Sequence, residues 1–106
     1  MGERDRRRAL NEATFRSVNE EIVEVGSRRA DRRLEIVCEC SDLACAVPIS
    51  VSVGEYEEAR ADSRTFVVAQ GHSDPAIEHV VKQRGDHELV QKTGEAGETA
   101  AAADPR

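Results

Sequence analysis

Apolar residues return along this chain at two different periods, and the change from one to the other marks out its elements. Between Asn11 and Gly26, Phe15, Val18, Ile22 and Val25 recur at intervals of three and four, while Glu12, Arg16, Glu20, Glu21 and Glu24 fall between them. That is the pattern of an amphipathic helix with one apolar face. Asn11 suits its N-cap, Glu12 its first turn and Gly26 its stop. The face carrying Phe15, Val18, Ile22 and Val25 is expected to be buried, so that Ile22→Ala costs about 2–5 kcal/mol.

The period then drops to two. Leu34, Ile36, Cys38 and Cys40 alternate with Glu35, Val37 and Glu39, and after a loop over 41–47 the run Ile49-Ser50-Val51-Ser52-Val53 alternates again. Two such runs joined by a loop predict an antiparallel hairpin, with Cys38 and Cys40 on one face. Gly54 to Arg60 has helical composition, acidic at its start and basic at its end. Thr65 to Ala69 predicts a third strand. Ile77 to Gln83 and His87 to Lys92 flank Arg84-Gly85-Asp86, a tight-turn signal for a second hairpin, with a helix over 76–84 as the alternative. From Thr93 onward Gly, Glu and Ala dominate without a large apolar residue, which predicts a disordered, dispensable tail.

The expected architecture is α+β: an N-terminal amphipathic helix packed on a small, mainly antiparallel sheet. Residues 1–10 read as a basic flexible N-terminus, 11–92 as a single domain and 93–106 as the disordered tail. Composition sharpens this picture. Of 106 residues, 39% are hydrophobic, yet Phe15, Tyr56 and Phe66 are the whole aromatic complement. The core must therefore be aliphatic, and domains of this size often add a metal or covalent staple.

Charge narrows the function classes. A net charge of -6 argues against general nucleic-acid binding, which needs Lys and Arg to release phosphate counterions. No apolar stretch approaches a membrane span and no secretory signal is legible, so a cytoplasmic protein with a protein partner is expected. Thirteen arginines against two lysines fit a high-GC bacterial source. In a reducing cytoplasm, closely spaced cysteines read as metal ligands or redox groups before structural disulfides.

The chain holds such a group. Cys38-Glu39-Cys40-Ser41-Asp42-Leu43-Ala44-Cys45 sets two thiols on one strand face and a third beyond a short turn. Zinc prefers thiolate and imidazole in a tetrahedron, and a structural site takes four protein ligands. His72, in a Gly-containing loop after the third strand, is the preferred fourth ligand; His79 and His87 fall within the second hairpin and read as strand residues. Cys38, Cys40, Cys45 and His72 are thus the candidate zinc ligands. Two alternatives stand beside this reading. Cys38 can be a small core residue with the other thiols incidental, or Cys40 and Cys45 can form a reversible disulfide as a thiol redox switch. Glu39, lying between the ligands, is expected to be replaceable by Gln without effect.

Catalytic signals are weak. Glu55, Glu57 and Glu58 read as a helix surface, Ser50 and Ser52 as the solvent face of a strand, and neither a Gly-rich phosphate loop nor a Ser/His/Asp arrangement is legible. A non-catalytic binding or regulatory module is the expectation.

The strings Asn11-Glu12-Ala13-Thr14-Phe15-Arg16, Cys38-Glu39-Cys40 with Cys45, Glu55-Tyr56-Glu57 and Phe66-Val67-Val68-Ala69-Gln70-Gly71-His72 resemble a group of short, uncharacterised actinobacterial proteins. The likeness runs from about Asn11 to Glu95. It implies an actinobacterial source and an association of the Cys cluster with the Gly-His pair. Ala46 and Gln70 depart from the group's pattern, where a polar residue and a proline are expected.

Overall fold

In the computed structural model, residues 2–26, 32–42, 44–45 and 47–106 are described. Their elements follow the order α1 (Glu3–Gly26), β1 (Arg33–Val37), β2 (Pro48–Ser52), α2 (Val53–Arg60), β3 (Thr65–Ala69), β4 (Glu78–Arg84), β5 (His87–Lys92) and α3 (Gly94–Ala102). The expected α+β class holds, with α1 packed on β1, but the strands form two antiparallel sheets rather than one: β1-β2, and β3-β5-β4 with β5 in the middle.

The first hairpin follows its alternation. Leu34 faces Val51 and Ile36 faces Ile49, and Ile36, Ile49 and Val51 are each buried while Pro48 and Ser50 face out. Ser52 ends β2 because it caps α2: its hydroxyl accepts the Glu55 N–H at 3.0 Å and the Glu55 carboxylate accepts the Ser52 N–H at 2.8 Å. This reciprocal box satisfies two donors that a helix start leaves open. It orients α2 so that Tyr56 and Ala59 enter the core. Residues 76–84 are not a helix; the second hairpin forms as β4 and β5, with β4 as its exposed outer strand.

Helix α1 departs from its expected face. It begins at Glu3, ahead of Asn11, which sits inside the helix and donates to the Ser41 carbonyl at 3.2 Å instead of capping. Its inward residues are Glu12, Ala13, Arg16, Asn19 and Val23, whereas Val18 is 44% exposed and Phe15 and Ile22 lie at the flank. The side chain of Val25 lies outside the description. At about 100° per residue, the buried face sits roughly a third of a turn from the apolar stripe.

Three polar residues hold that face down because each meets a fixed partner. Asn19 pairs with both backbone groups of Val37, donating to its carbonyl at 2.7 Å and accepting its N–H at 2.9 Å. A helix side chain thereby closes the free edge of β1. Arg16 lies 4.2 Å over the Phe66 ring and donates to the carbonyls of Ser63 and Ala100. Glu12 meets Lys92, whose buried ammonium also meets Glu78.

Burial pushes the Glu12 carboxyl up to about 9, with Glu78 adding to the rise and Lys92 opposing it. A raised folded-state value means that the stability contribution is complete below about 4.5, declines as pH rises, and is gone above about 9. Glu12→Gln keeps a neutral donor and acceptor in the same place. The melting temperature of the variant is expected to rise relative to the parent's as pH goes from 5 to 9. Parallel melting profiles over that range would show that Glu12 is not held neutral by its surroundings.

The tail expected to be disordered is instead α3. Ala96 and Ala100 are buried, and a side chain at Gly97 would meet the Lys92 carbonyl at 3.2 Å, so the helix lies close against β5. Beyond it Asp104 pairs with Arg60, whose side chain is fully buried, and Arg106 makes a two-pronged pair with Glu57 at 2.7 Å for each contact. Small residues that read as featureless in sequence are what permit the close approach. Ending the chain after Thr93 is expected to lower the melting temperature, because it strips acceptors from Arg16 and Arg60. A loss of ~2 kcal/mol corresponds to about 8–16 °C for a domain of this size. An unchanged melting temperature would mean that α3 contributes nothing to the fold.

Candidate metal centre

The site lies where the chain passes from one sheet to the other. After β1 ends at Val37, the Cys38 N–H still bonds back to the β2 side, to the Val47 carbonyl at 3.0 Å. The next residue turns away: the Glu39 N–H donates to the Val67 carbonyl of β3 at 2.8 Å. Consecutive peptides thus belong to different sheets. This handover brings the Cys38–Cys40 segment over β3, and the β3 Ala69 N–H points at Cys38 Sγ, 3.1 Å away.

Cys45 returns by a turn in which its N–H donates to the Asp42 carbonyl at 3.0 Å, while the Asp42 carboxylate accepts the Ala44 N–H at 2.9 Å. Leu43 and Ala46 fall outside the described residues.

His72 arrives from the other side of the cluster. Ala69 to His72 forms a β-turn closed by the His72 N–H on the Ala69 carbonyl at 3.0 Å, with Gly71 at φ +81°. That is the third position of a type II turn, which requires a residue without a Cβ, and proline is favoured one place earlier, where Gln70 stands. The Gly71 N–H is held at 2.5 Å by the carboxylate of buried Glu88. The imidazole then faces the sulfurs with Nδ1, which lies 3.6 Å from Cys38 Sγ and 3.6 Å from Cys45 Sγ.

The ligand atoms of Cys38, Cys40, Cys45 and His72 all lie within 4.8 Å of one another. A tetrahedral ion with sulfur at ~2.3 Å and nitrogen at ~2.1 Å holds its ligands about 3.5–3.8 Å apart along each edge. Both measured sulfur–nitrogen separations fall in that span. The four residues can hold one metal ion, and Nδ1 coordination would leave the ring proton on Nε2.

Burial is graded across the group. Cys38 and Cys40 are 0% and 3% exposed and count among the core residues, whereas Cys45 and His72 are half-buried. Burial pushes the thiols of Cys38 and Cys40 up; at Cys38 the Ala69 N–H opposes this and the neighbouring thiols add to it, and at Cys40 the Asp42 backbone opposes it. A divalent cation bound between the Cys38 and Cys40 sulfurs reverses that balance. An open cavity of about 270 Å³, lined by Cys40, Ser41, Asp42, Gly71, His72 and Ser73, adjoins the site.

No protein-family model matches the chain, nor does any curated protein or solved structure. The site therefore speaks through its own geometry.

His79 and His87 stay out of the cluster. His79 is exposed on β4, and His87 is buried in β5 with Nδ1 2.8 Å from the Asp86 carboxylate. Glu39 is not the replaceable residue its place between the ligands suggests. It is fully buried, and its carboxylate accepts from Asn19 Nδ2 at 2.8 Å, the Tyr56 hydroxyl at 2.9 Å and the Val67 N–H at 2.8 Å. Burial pushes its carboxyl up against those three donors. With its neighbours Cys38 and Cys40 turned to the site, Glu39 points the other way and ties the segment to α1, α2 and β3. The available sequence signal was strand alternation: a residue on the opposite face from two buried cysteines, in a segment covered on both sides, has to be buried too.

Proposed function

We propose that the protein is a non-catalytic, zinc-stapled binding or regulatory module, with Cys38, Cys40, Cys45 and His72 as the four ligands of one structural zinc ion. The observation that carries this reading is the pair of 3.6 Å separations from His72 Nδ1 to Cys38 and Cys45 Sγ, which match edges of a zinc tetrahedron. Three thiolates favour a soft or borderline ion over magnesium or calcium. Four protein ligands leave no coordination position for substrate, which is the pattern of structural rather than catalytic zinc.

The ion would fasten the β1–β2 connection to the β3–β4 loop, which extend from different sheets. Its partner would be a protein rather than nucleic acid, given the net charge of -6. No helix among the described residues is long and apolar enough to cross a membrane, and a cytoplasmic setting is part of the reading. So is a place among the short actinobacterial proteins that the chain resembles.

The test is elemental analysis of untagged protein purified without chelator. One zinc per chain supports the reading, together with a lower melting temperature after a strong chelator removes it. Protein free of zinc, whose melting temperature ignores both chelator and added zinc, overturns it.

A further inference from the structure

We propose that the zinc centre is also an oxidation site at which a peroxide joins Cys45 to Cys40 and expels the ion, while Cys38 is spared. This rests on the zinc reading above and adds the direction in which the site comes apart.

The three sulfurs are not equivalent. Cys38 is 0% exposed and accepts the Ala69 N–H at 3.1 Å. Cys45 is half-buried, on the outer turn of the cluster, and Cys40, although only 3% exposed as a residue, lines the open cavity. A small oxidant thus reaches the Cys45 and Cys40 side of the centre first. Pairing follows the same division. Cys40 and Cys45 are separated by a turn that folds back on itself through the Cys45 N–H and the Asp42 carbonyl at 3.0 Å. All three sulfurs lie within 4.8 Å of one another, so exposure rather than distance sets the pair.

The chemistry closes in two steps. The Cys45 thiolate attacks one peroxide oxygen, forming an S–O bond and breaking O–O; hydroxide leaves and takes a proton to become water. The Cys40 thiolate then attacks the Cys45 sulfenic sulfur, forming S–S and expelling a second hydroxide, which also becomes water. In sum, two thiolates, one hydrogen peroxide and two protons give one disulfide and two waters. The sulfur pair is oxidised by two electrons and the peroxide is reduced by two. Zinc is left with Cys38 and His72 and departs as the divalent ion, so the tie between the two sheets opens. A dithiol reductant reverses the disulfide, and added zinc refills the site.

The experiment uses the full chain loaded with one zinc, treated with hydrogen peroxide in the presence of a chromogenic zinc chelator, then alkylated and weighed by mass spectrometry. The expected result is one zinc released per disulfide formed, a single alkylated thiol assigned by fragmentation to Cys38, and recovery of zinc binding after dithiol and zinc. Cys45→Ser, where it retains zinc, is expected to release it at least ~10-fold more slowly under peroxide. Should that variant fail to hold zinc, the mass assignment on the parent protein decides alone. A disulfide that includes Cys38, zinc loss through over-oxidised thiols without a disulfide, or a centre that keeps its ion overturns the proposal and leaves the zinc reading standing. Protein that never carried zinc overturns the zinc reading, and ion release with it.

Discussion

Cys38→Ser is expected to yield protein that no longer retains zinc and melts far below the parent. Cys38 is the least exposed of the ligands, and its sulfur serves two masters: it stands 3.6 Å from His72 Nδ1 and accepts the Ala69 N–H at 3.1 Å. A serine oxygen is shorter-armed and harder, so it reaches neither the ion nor the amide as well. Structural zinc contributes on the order of 10 kcal/mol of binding free energy that is also folding free energy. That is comparable with the whole stability of a small domain, about 5–15 kcal/mol. Thermal unfolding with and without zinc checks it: the variant should match chelator-treated parent protein or fall below it, and added zinc should not rescue it. Cys40→Ser should behave in the same direction. A Cys38→Ser protein with parental zinc content and melting temperature would remove Cys38 from the site.

Glu39→Ala is expected to cost about 3 kcal/mol or more without touching any proposed ligand. The deletion strands buried donors on three elements at once: the Tyr56 hydroxyl of α2, the Val67 N–H of β3 and one N–H of Asn19 from α1. Each unpaired buried donor costs about 1–3 kcal/mol. Glu39→Gln is not neutral either. All three partners donate, and Asn19 cannot flip because its amide is already committed to both backbone groups of Val37. The Gln amide nitrogen therefore faces a donor, and a smaller loss of about 1–3 kcal/mol follows. Denaturant unfolding of the zinc-loaded proteins measures both. A Glu39→Gln protein as stable as the parent would show that the three-donor network is not formed.

These two positions show why some of the structure was legible in the sequence and some was not. Strand periodicity placed the first hairpin, β3 and the second hairpin, because alternating burial leaves a two-residue signal that does not depend on partners distant in sequence. The same signal set Cys38 with Cys40, although β1 ends at Val37 and both cysteines lie just beyond it, and Gly71 marked a turn that could aim His72. The inward face of α1 was hidden for the opposite reason. Glu12, Arg16 and Asn19 are buried because Lys92, Ala100 and Val37 complement them, and such pairings, 18 to 84 residues apart, have no periodic trace. Hydrophobic periodicity instead picked out the neighbouring stripe, leaving Val18 on the surface. Helix α3 was missed because its packing depends on small residues at close approach, which in sequence resemble a flexible tail. Glu39 and the tail taught the same lesson, that a polar or small residue can be a core residue where the fold supplies its partner.

The central claim is a single zinc ion bound by three sulfurs and one imidazole nitrogen. X-ray absorption at the zinc edge, on protein purified without chelator, reads that shell directly. The account predicts three sulfurs at ~2.3 Å and one nitrogen at ~2.1 Å, with the imidazole's outer-shell scattering lost in a His72→Ala variant. A shell of oxygen and nitrogen alone, or a sulfur count that stays at three when Cys45 is replaced, would contradict it.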